Sequence, residues 1–197
     1  MHVPVMLDET LTWLVPETAE RIVDMTLGGG GHAEAILARM PPTGRLLGLD
    51  TDPEAVVRCR QRLAAYGSRF TGRHCRFSEL PEVLRDLGWD LVDGVLMDLG
   101  VSSFQLEAAE RGFSFDQDGP LDMRMDTTAP GPRAADFVNT MPVRELERLL
   151  RCYGEEPRAR RIAQAIAHRR EQRPFETTAD LAAVICAAAG GRRGAAR

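Results

Sequence analysis

The chain has 197 residues, of which 44% are hydrophobic and 27% are charged, and its formal net charge is −4. This composition predicts a globular protein with one substantial core and excludes a chain that is disordered throughout. No stretch of about 18 uncharged apolar residues is present and the N-terminus does not resemble a signal peptide, so we expect a cytoplasmic protein without membrane contact. The four cysteines form no C-x-x-C pair, and we predict no metal site.

The charges are unevenly distributed along the chain. Residues 1–129 contain 12 arginines and 21 acidic residues, whereas residues 130–197 contain 13 arginines and 8 acidic residues. A basic segment is one feature of proteins that bind nucleic acid, but it does not by itself establish that function.

The first half of the chain alternates between short apolar runs and amphipathic stretches. This alternation is typical of βαβ units around a parallel sheet and predicts an α/β fold. We predict strands at residues 21–25, 45–49, 73–77 and 91–97. Helices are predicted at residues 32–40 and 53–66, the second with Pro53 in its first turn.

The second half has a different pattern. Residues 99–132 are rich in Gly, Asp and Pro and predict a long loop, and helices are predicted at residues 143–153, 157–172 and 178–189. The middle helix has an apolar face, with arginines including Arg160 and Arg161 on its remaining surface. A charged face of this kind is either solvated or in contact with RNA phosphates. We expect residues 191–197 to be disordered.

A glycine loop and an acidic residue together predict a nucleoside site. Residues 28–31 are four glycines after the first strand, and Asp50 ends the second strand. Glycines allow close approach of a ligand, and a carboxylate at this position can accept both hydroxyls of a ribose. Gly28, Gly30 and Ala33 also fit the dinucleotide pattern G-x-G-x-x-G/A, so an NAD-dependent dehydrogenase remains an alternative at this point.

Longer motifs distinguish these alternatives, because the chain closely resembles the MraW (RsmH) family of ribosomal RNA cytosine-N4 methyltransferases. The motifs that carry the resemblance are H-V-P-V at residues 2–5, GGGGH at 28–32, GLDTDP at 48–53, DLGVSS at 98–103, ERGFSF at 110–115, GPLDMRMD at 119–126 and YGEE at 153–156. The resemblance implies a class I S-adenosylmethionine-dependent methyltransferase fold, which is Rossmann-like, with a helical subdomain inserted after the fourth strand. It divides the chain into a core at residues 1–105 and an insert at residues 106–190.

The resemblance also implies roles for individual residues. Gly30, Gly31 and His32 would hold the methionine end of S-adenosylmethionine, and Asp50 would take the ribose. Phe77 would flank the adenine, and Asp98 and Gln105 would complete the pocket. The implied activity is N4-methylation of a cytosine in the decoding region of 16S ribosomal RNA, with the small ribosomal subunit as partner.

Asp98 is also a candidate for the chemistry, and Asp122 and Arg124 are candidates for RNA recognition. Transfer to a cytosine amine needs alignment of the reacting atoms and an acceptor for an amine hydrogen, for which Asp98 is the candidate. Asp122 and Arg124 have two open interpretations. They recognise the extruded cytosine or its phosphate, or they form salt bridges between the insert and the core.

Family members continue beyond the equivalent of residue 197 with an H-P-A-T-R segment, further strands and an S-F-H-S-L-E-D-R motif. We therefore expect an incomplete sheet, a fourth strand exposed along one edge, and self-association through that strand. This expectation leaves the activity of the chain open. A nonenzymatic RNA-binding protein that retains the cofactor pocket is the third hypothesis.

Overall fold

The computed structural model describes residues 4–190, so the tail predicted at residues 191–197 lies outside the described residues. Contacts divide the chain into two units. The first comprises residues up to Ser102 together with Met125–Thr127, and the second comprises Ser103–Arg124 and the chain from Thr128 onward. No helix in the described range is long and apolar enough to cross a membrane.

The first unit is built on a parallel four-stranded sheet. Its strands are β1 (Arg21–Asp24), β2 (Arg45–Asp50), β3 (Phe70–His74) and β4 (Gly94–Leu96), in the spatial order β3-β2-β1-β4. Val23 of β1 pairs with Leu47 on one side and Val95 on the other. The chain passes from β1 to β2 and β3 on one side of the sheet and then crosses to β4 on the other side of β1. This reversal of strand order predicts a crevice at the carboxyl ends of β1 and β4.

Helices cover this sheet because its central strands are apolar on both faces. The helices are α1 (Leu7–Leu14), α2 (Gly31–Arg39), α3 (Pro53–Arg62) and α4 (Leu80–Leu87). Asp52 caps α3 by accepting a hydrogen bond from the N–H of Glu54 at 3.0 Å, and Pro53 occupies its first turn as predicted. The fully buried side chains of β1 and β2 are Ile22, Val23, Leu46, Leu47 and Leu49.

Two predicted strands had the wrong bounds. The third was predicted at residues 73–77 but lies at Phe70–His74. The prediction followed the apolar Cys75 and Phe77, whereas an edge strand needs only partial burial and is poorly marked by hydrophobicity. The fourth was predicted at residues 91–97, but its regular pairing is limited to Gly94–Leu96. The carboxylate of Asp93 accepts hydrogen bonds from the N–H groups of Glu20 and Arg21, and its own N–H donates to the carbonyl of Arg21.

The second unit is helical. Its helices are α5 (Ser103–Glu107), α6 (Ala134–Thr140), α7 (Val143–Cys152), α8 (Ala159–Arg170) and α9 (Thr178–Ala188). The three long helices were predicted with slightly wider bounds, whereas α1, α4, α5 and α6 were not predicted. Phe175, Ile162 and Ile166 are buried at the centre of this unit's core.

The predicted loop at residues 99–132 contains only short helical turns, and its glycines are required by close backbone contacts. A Cβ atom on Gly112, which has φ +72°, would lie 2.2 Å from the carbonyl oxygen of Pro120. A Cβ atom on Gly119 would lie 1.9 Å from the carbonyl oxygen of Ala109. Any larger residue at either position would force the loop apart.

The outer edge of β4 is exposed. Among the residues that the structure describes, β4 pairs only with β1. Leu91 is 81% exposed, Leu99 is 68% exposed and Met97 is 54% exposed. Residues 91–99, which contain β4, therefore present apolar side chains to solvent, and β4 has a free edge, as expected for the fourth strand.

Candidate functional site

The glycine loop connects β1 to α2 and follows a path that requires glycine. Gly28 and Gly30 have φ values of +49° and +77°, which L-residues rarely adopt. A Cβ atom on Gly30 would also lie 2.9 Å from the Sγ atom of Cys59. The loop therefore exposes backbone instead of side chains at the carboxyl end of β1, where a ligand can approach closely.

Asp50 closes the other side of this loop. Its Oδ2 atom accepts a hydrogen bond from the N–H of Gly28 at 2.8 Å, and its Oδ1 atom accepts one from the N–H of Asp52 at 2.8 Å. Burial raises the pKa of the carboxyl group, and these two hydrogen bonds oppose that effect. Because an ionised carboxylate has about four acceptor positions, Asp50 can still accept two hydroxyl groups.

Asp24 is a site residue that the sequence analysis missed. It is the last residue of β1 and is 1% exposed. Its Oδ1 atom accepts a hydrogen bond from the N–H of Thr26, but its Oδ2 atom has no hydrogen-bond partner within residues 4–190. Burial raises its pKa to about 6, against the opposing charge interaction with His32. A buried acidic side chain with an open acceptor is typical of a ligand site rather than of a packed core.

His32 is held in a defined orientation at the start of α2. Its Nε2 atom lies 2.9 Å from the carbonyl oxygen of Val5. Because a carbonyl only accepts, Nε2 carries the hydrogen. Its Nδ1 atom lies 3.9 Å from Oδ2 of Asp98, whose own N–H donates to Oγ1 of Thr26 at 2.8 Å. His32 and Asp98 are thus brought together at the carboxyl edge of the sheet, and the Asp98 carboxylate is half exposed.

The N-terminal H-V-P-V motif contributes to this arrangement. Pro4 packs against the glycine loop so closely that a Cβ atom on Gly31 would lie 2.5 Å from its Cγ atom. Val5 supplies the carbonyl that orients His32, whereas His2 and Val3 lie outside the described residues. Gly31 is therefore needed to accommodate Pro4 as well as to leave space for a ligand.

Phe77 and His74 complete the edge beside β2. Phe77 begins a 3₁₀ turn directly after β3 and is 52% exposed, so it is not a core residue. The Nε2 atom of His74 lies 3.0 Å from the carbonyl oxygen of Thr51 and 3.0 Å from Oδ2 of Asp126. The sequence analysis missed this contact, which attaches Met125–Thr127 to the first unit.

The remaining predicted ligands belong to the second unit. Gln105 is buried on α5. Asp122 and Arg124 form a bidentate pair with each other, with the Nε atom of Arg124 2.8 Å from Oδ1 and its Nη2 atom 2.8 Å from Oδ2. These hydrogen bonds lower the pKa of Asp122. Roles in cofactor binding for Gln105, and in RNA recognition for the pair, stay predictions.

The arginines of α8 fall into two groups. Arg160 and Arg161 are exposed, and within the part of the chain that the structure describes neither forms an ion pair. The others stabilise the helical unit. Arg158 donates to the carbonyl of Ala189, Arg170 donates to the carbonyl of Val138, and the Arg169 guanidinium stacks on the ring of Phe175. Only Arg160 and Arg161 are left as candidates for phosphate contacts on this helix.

The family model and the curated relatives that match this chain agree on one family. The model of the MraW methylase family matches residues 1–195. The chain is 50% identical over 186 residues to "Ribosomal RNA small subunit methyltransferase H" of Syntrophobacter fumaroxidans, covering 94% of this chain and 58% of that protein. It is 51% identical over 187 residues to the protein of the same name from Streptomyces avermitilis, covering 93% of this chain and 58% of that protein.

Among solved structures, an O-methyltransferase from Bacillus cereus in complex with SAH is similar, with 18% sequence identity and a TM-score of 0.44. That match covers 80% of this chain and 72% of the other. The chain spans about 58% of the length of the curated relatives described above.

Proposed function

The chain belongs to the MraW methylase family, and we propose that its site binds S-adenosylmethionine for N4-methylation of a cytosine in the decoding region of 16S ribosomal RNA. The observation that carries this proposal is the position of the Asp50 carboxylate. This carboxylate accepts a hydrogen bond from the N–H of Gly28 at the carboxyl edge of a parallel sheet. This geometry suits a ribose diol, and the names of the curated relatives suggest the methyl acceptor.

The residues present fit the cofactor at each of its parts. Asp50 retains acceptor positions for the ribose hydroxyls, and the exposed ring of Phe77 is available to cover a flat base. The orphaned Oδ2 atom of Asp24 can accept a hydrogen bond from an ammonium group. When bound, S-adenosylmethionine supplies a methyl group on a sulfonium, which is already an activated electrophile.

Asp98 is the proposed acceptor for a hydrogen of the cytosine amine. That amine is a weak nucleophile because its lone pair is delocalised into the ring, so a carboxylate that accepts one hydrogen helps to localise it. The bond from the Asp98 N–H to Thr26 fixes the backbone at this point, and the carboxylate is half exposed. The Nδ1 atom of His32 lies 3.9 Å from this carboxylate, beyond hydrogen-bond distance.

Asp50→Ala is expected to weaken binding of S-adenosylhomocysteine by about 10-fold to 100-fold. Loss of hydrogen bonds to a charged acceptor corresponds to roughly 1.5 to 3 kcal/mol. Isothermal titration of the variant and the parent measures the change, and Asp86→Ala, which removes an exposed carboxylate of the same unit, is the matched control. Equal affinities of the Asp50 variant and the parent would remove the ribose contact from the proposal.

The proposed partner is the 16S ribosomal RNA of the small subunit, which is cytoplasmic in bacteria. We expect the Arg160→Ala/Arg161→Ala double variant to bind RNA more weakly and with a shallower salt dependence. Each lost phosphate contact on a single strand reduces the slope of log K against log salt by about 0.7. Fluorescence anisotropy across a salt series measures this, with Arg39→Ala/Arg85→Ala as a control of equal charge. An unchanged slope would indicate that this face of α8 is only solvated.

A further inference from the structure

One segment of the acidic first unit is strongly basic. Residues 55–78 contain six arginines and one histidine and no Asp or Glu, whereas the remainder of residues 1–129 contains six arginines and 21 acidic residues. The segment forms most of α3, the 3₁₀ turn at Ala64–Arg69 and the edge strand β3. Its charge is therefore concentrated along one edge of the sheet.

Three of these six arginines stabilise the fold. Arg62 pairs with Glu34 at 2.6 Å, and Arg58 lies 3.6 Å from Glu54. Arg69 donates to the carbonyl oxygens of Leu37 and Gly44. Their guanidinium groups therefore lie beside carboxylates or backbone carbonyl oxygens of the first unit.

The other three, Arg60, Arg73 and Arg76, are exposed and form no ion pair with any carboxylate in residues 4–190. The Nη2 atom of Arg60 donates to the carbonyl of Gly72 at 2.8 Å, which fixes the guanidinium and leaves its other N–H groups available. Exposed guanidinium groups without an ion pair are suited to binding phosphate, and that of Arg60 is also held in place.

Arg60 and Arg73 border an open surface depression of 380 Å³ along the outer edge of β3, which we call the cationic groove. Leu63, Phe70 and Gly72 are among its lining residues. A Cβ atom on Gly72 would lie 3.4 Å from the Phe70 ring and 3.5 Å from Cγ of Arg60, so the ring and the arginine stem both lie over this glycine. The groove thus combines an aromatic ring with two cations.

We propose that the cationic groove binds an unpaired segment of the substrate RNA, with its phosphates on Arg60 and Arg73 and a base against Phe70. Unpaired RNA is commonly bound by aromatic side chains that stack on bases and by arginines that contact the backbone. The inference rests on the proposed RNA methyltransferase function and extends it, because it adds a second RNA contact far in sequence from the basic C-terminal region.

The test uses anisotropy of a fluorescent, unstructured oligonucleotide from the decoding region of 16S ribosomal RNA. Arg60→Gln/Arg73→Gln removes two charges but keeps hydrogen-bond donors. We expect a loss of affinity of about 10-fold near physiological salt and a fall of about 1.4 in the salt slope. Arg60→Lys/Arg73→Lys keeps the charge and is expected to retain the slope. Phe70→Leu is expected to reduce affinity without changing the slope, because stacking releases no counterions.

Three controls make the result decisive. Titration of S-adenosylhomocysteine onto each variant reports on the cofactor site separately, so failure of the groove proposal is distinguished from failure of the proposed function. Arg39→Ala/Arg85→Ala controls for total charge, and thermal melts control for folding. Unchanged RNA affinity in the Gln variant would overturn the proposal. If light scattering also showed new self-association, the arginines would instead be protecting the exposed edge of β3.

Discussion

Covering the outer edge of β4 with the C-terminal third of a family member is expected to reduce self-association through that edge and to increase methyl transfer. Within residues 4–190, β4 pairs only with β1, and Leu91, Met97 and Leu99 are largely exposed. A parallel strand of this kind is normally covered on both faces and paired along both edges. Pairing with a second copy would bury these apolar side chains and extend the sheet along the free edge of β4.

Light scattering measures the association, and transfer of labelled methyl groups onto small subunits from a strain lacking the native enzyme measures the turnover. Val95→Lys is a useful control, because a charge on the exposed segment should reduce self-association without restoring activity. A monodisperse monomer whose turnover equals that of the extended protein would show that the additional strands are dispensable.

Asp24→Asn is expected to stabilise the protein at neutral pH while weakening its affinity for S-adenosylhomocysteine. Burial raises the pKa of Asp24 from 3.8 to about 6. Between these values the folded state binds more protons than the unfolded state, so stability falls as the pH rises through this interval. Since each pH unit corresponds to about 1.4 kcal/mol, ionised Asp24 lowers the free energy of unfolding by about 3 kcal/mol above about pH 7.

Urea denaturation at about pH 4 and about pH 7.5 checks this sign. The variant should gain stability over the parent at the higher pH and show a much smaller difference at the lower pH, where Asp24 is protonated in the folded state and only about half ionised in the unfolded state. Asp86→Asn, at an exposed position, should show no such pH-dependent difference. A variant that is less stable than its parent at pH 7.5 would contradict the account of Asp24 as an acid retained for ligand binding at the expense of stability.

The parts of the site that sequence predicts well are those defined by strand ends and backbone requirements. Gly28, Gly30 and Asp50 follow apolar strands directly, and parallel strands bring their carboxyl ends to one edge. Phe77 was predicted as the last residue of the third strand, but that strand lies three residues earlier and Phe77 belongs to the turn that follows it.

The features that sequence did not predict depend on long-range contacts. The bond from His74 to Asp126 joins residues far apart in the chain, and no local pattern indicates it. The packing of Pro4 against Gly31 is also a long-range contact, and only the folded loop shows why glycine is required there. Asp24 had a local signal, an acidic residue that ends a buried apolar strand, but its unpaired oxygen is visible only in three dimensions.

The measurement that tests the central claim most directly is a parallel calorimetric titration of the chain with S-adenosylhomocysteine, S-adenosylmethionine and NAD. All three ligands contain an adenosine that could use the glycine loop and Asp50, so the comparison isolates the part of the ligand that distinguishes a methyltransferase from a dehydrogenase. We predict saturable binding of both sulfur nucleosides and markedly weaker or absent binding of NAD. Saturable binding of NAD with no binding of either sulfur nucleoside would contradict the proposed function.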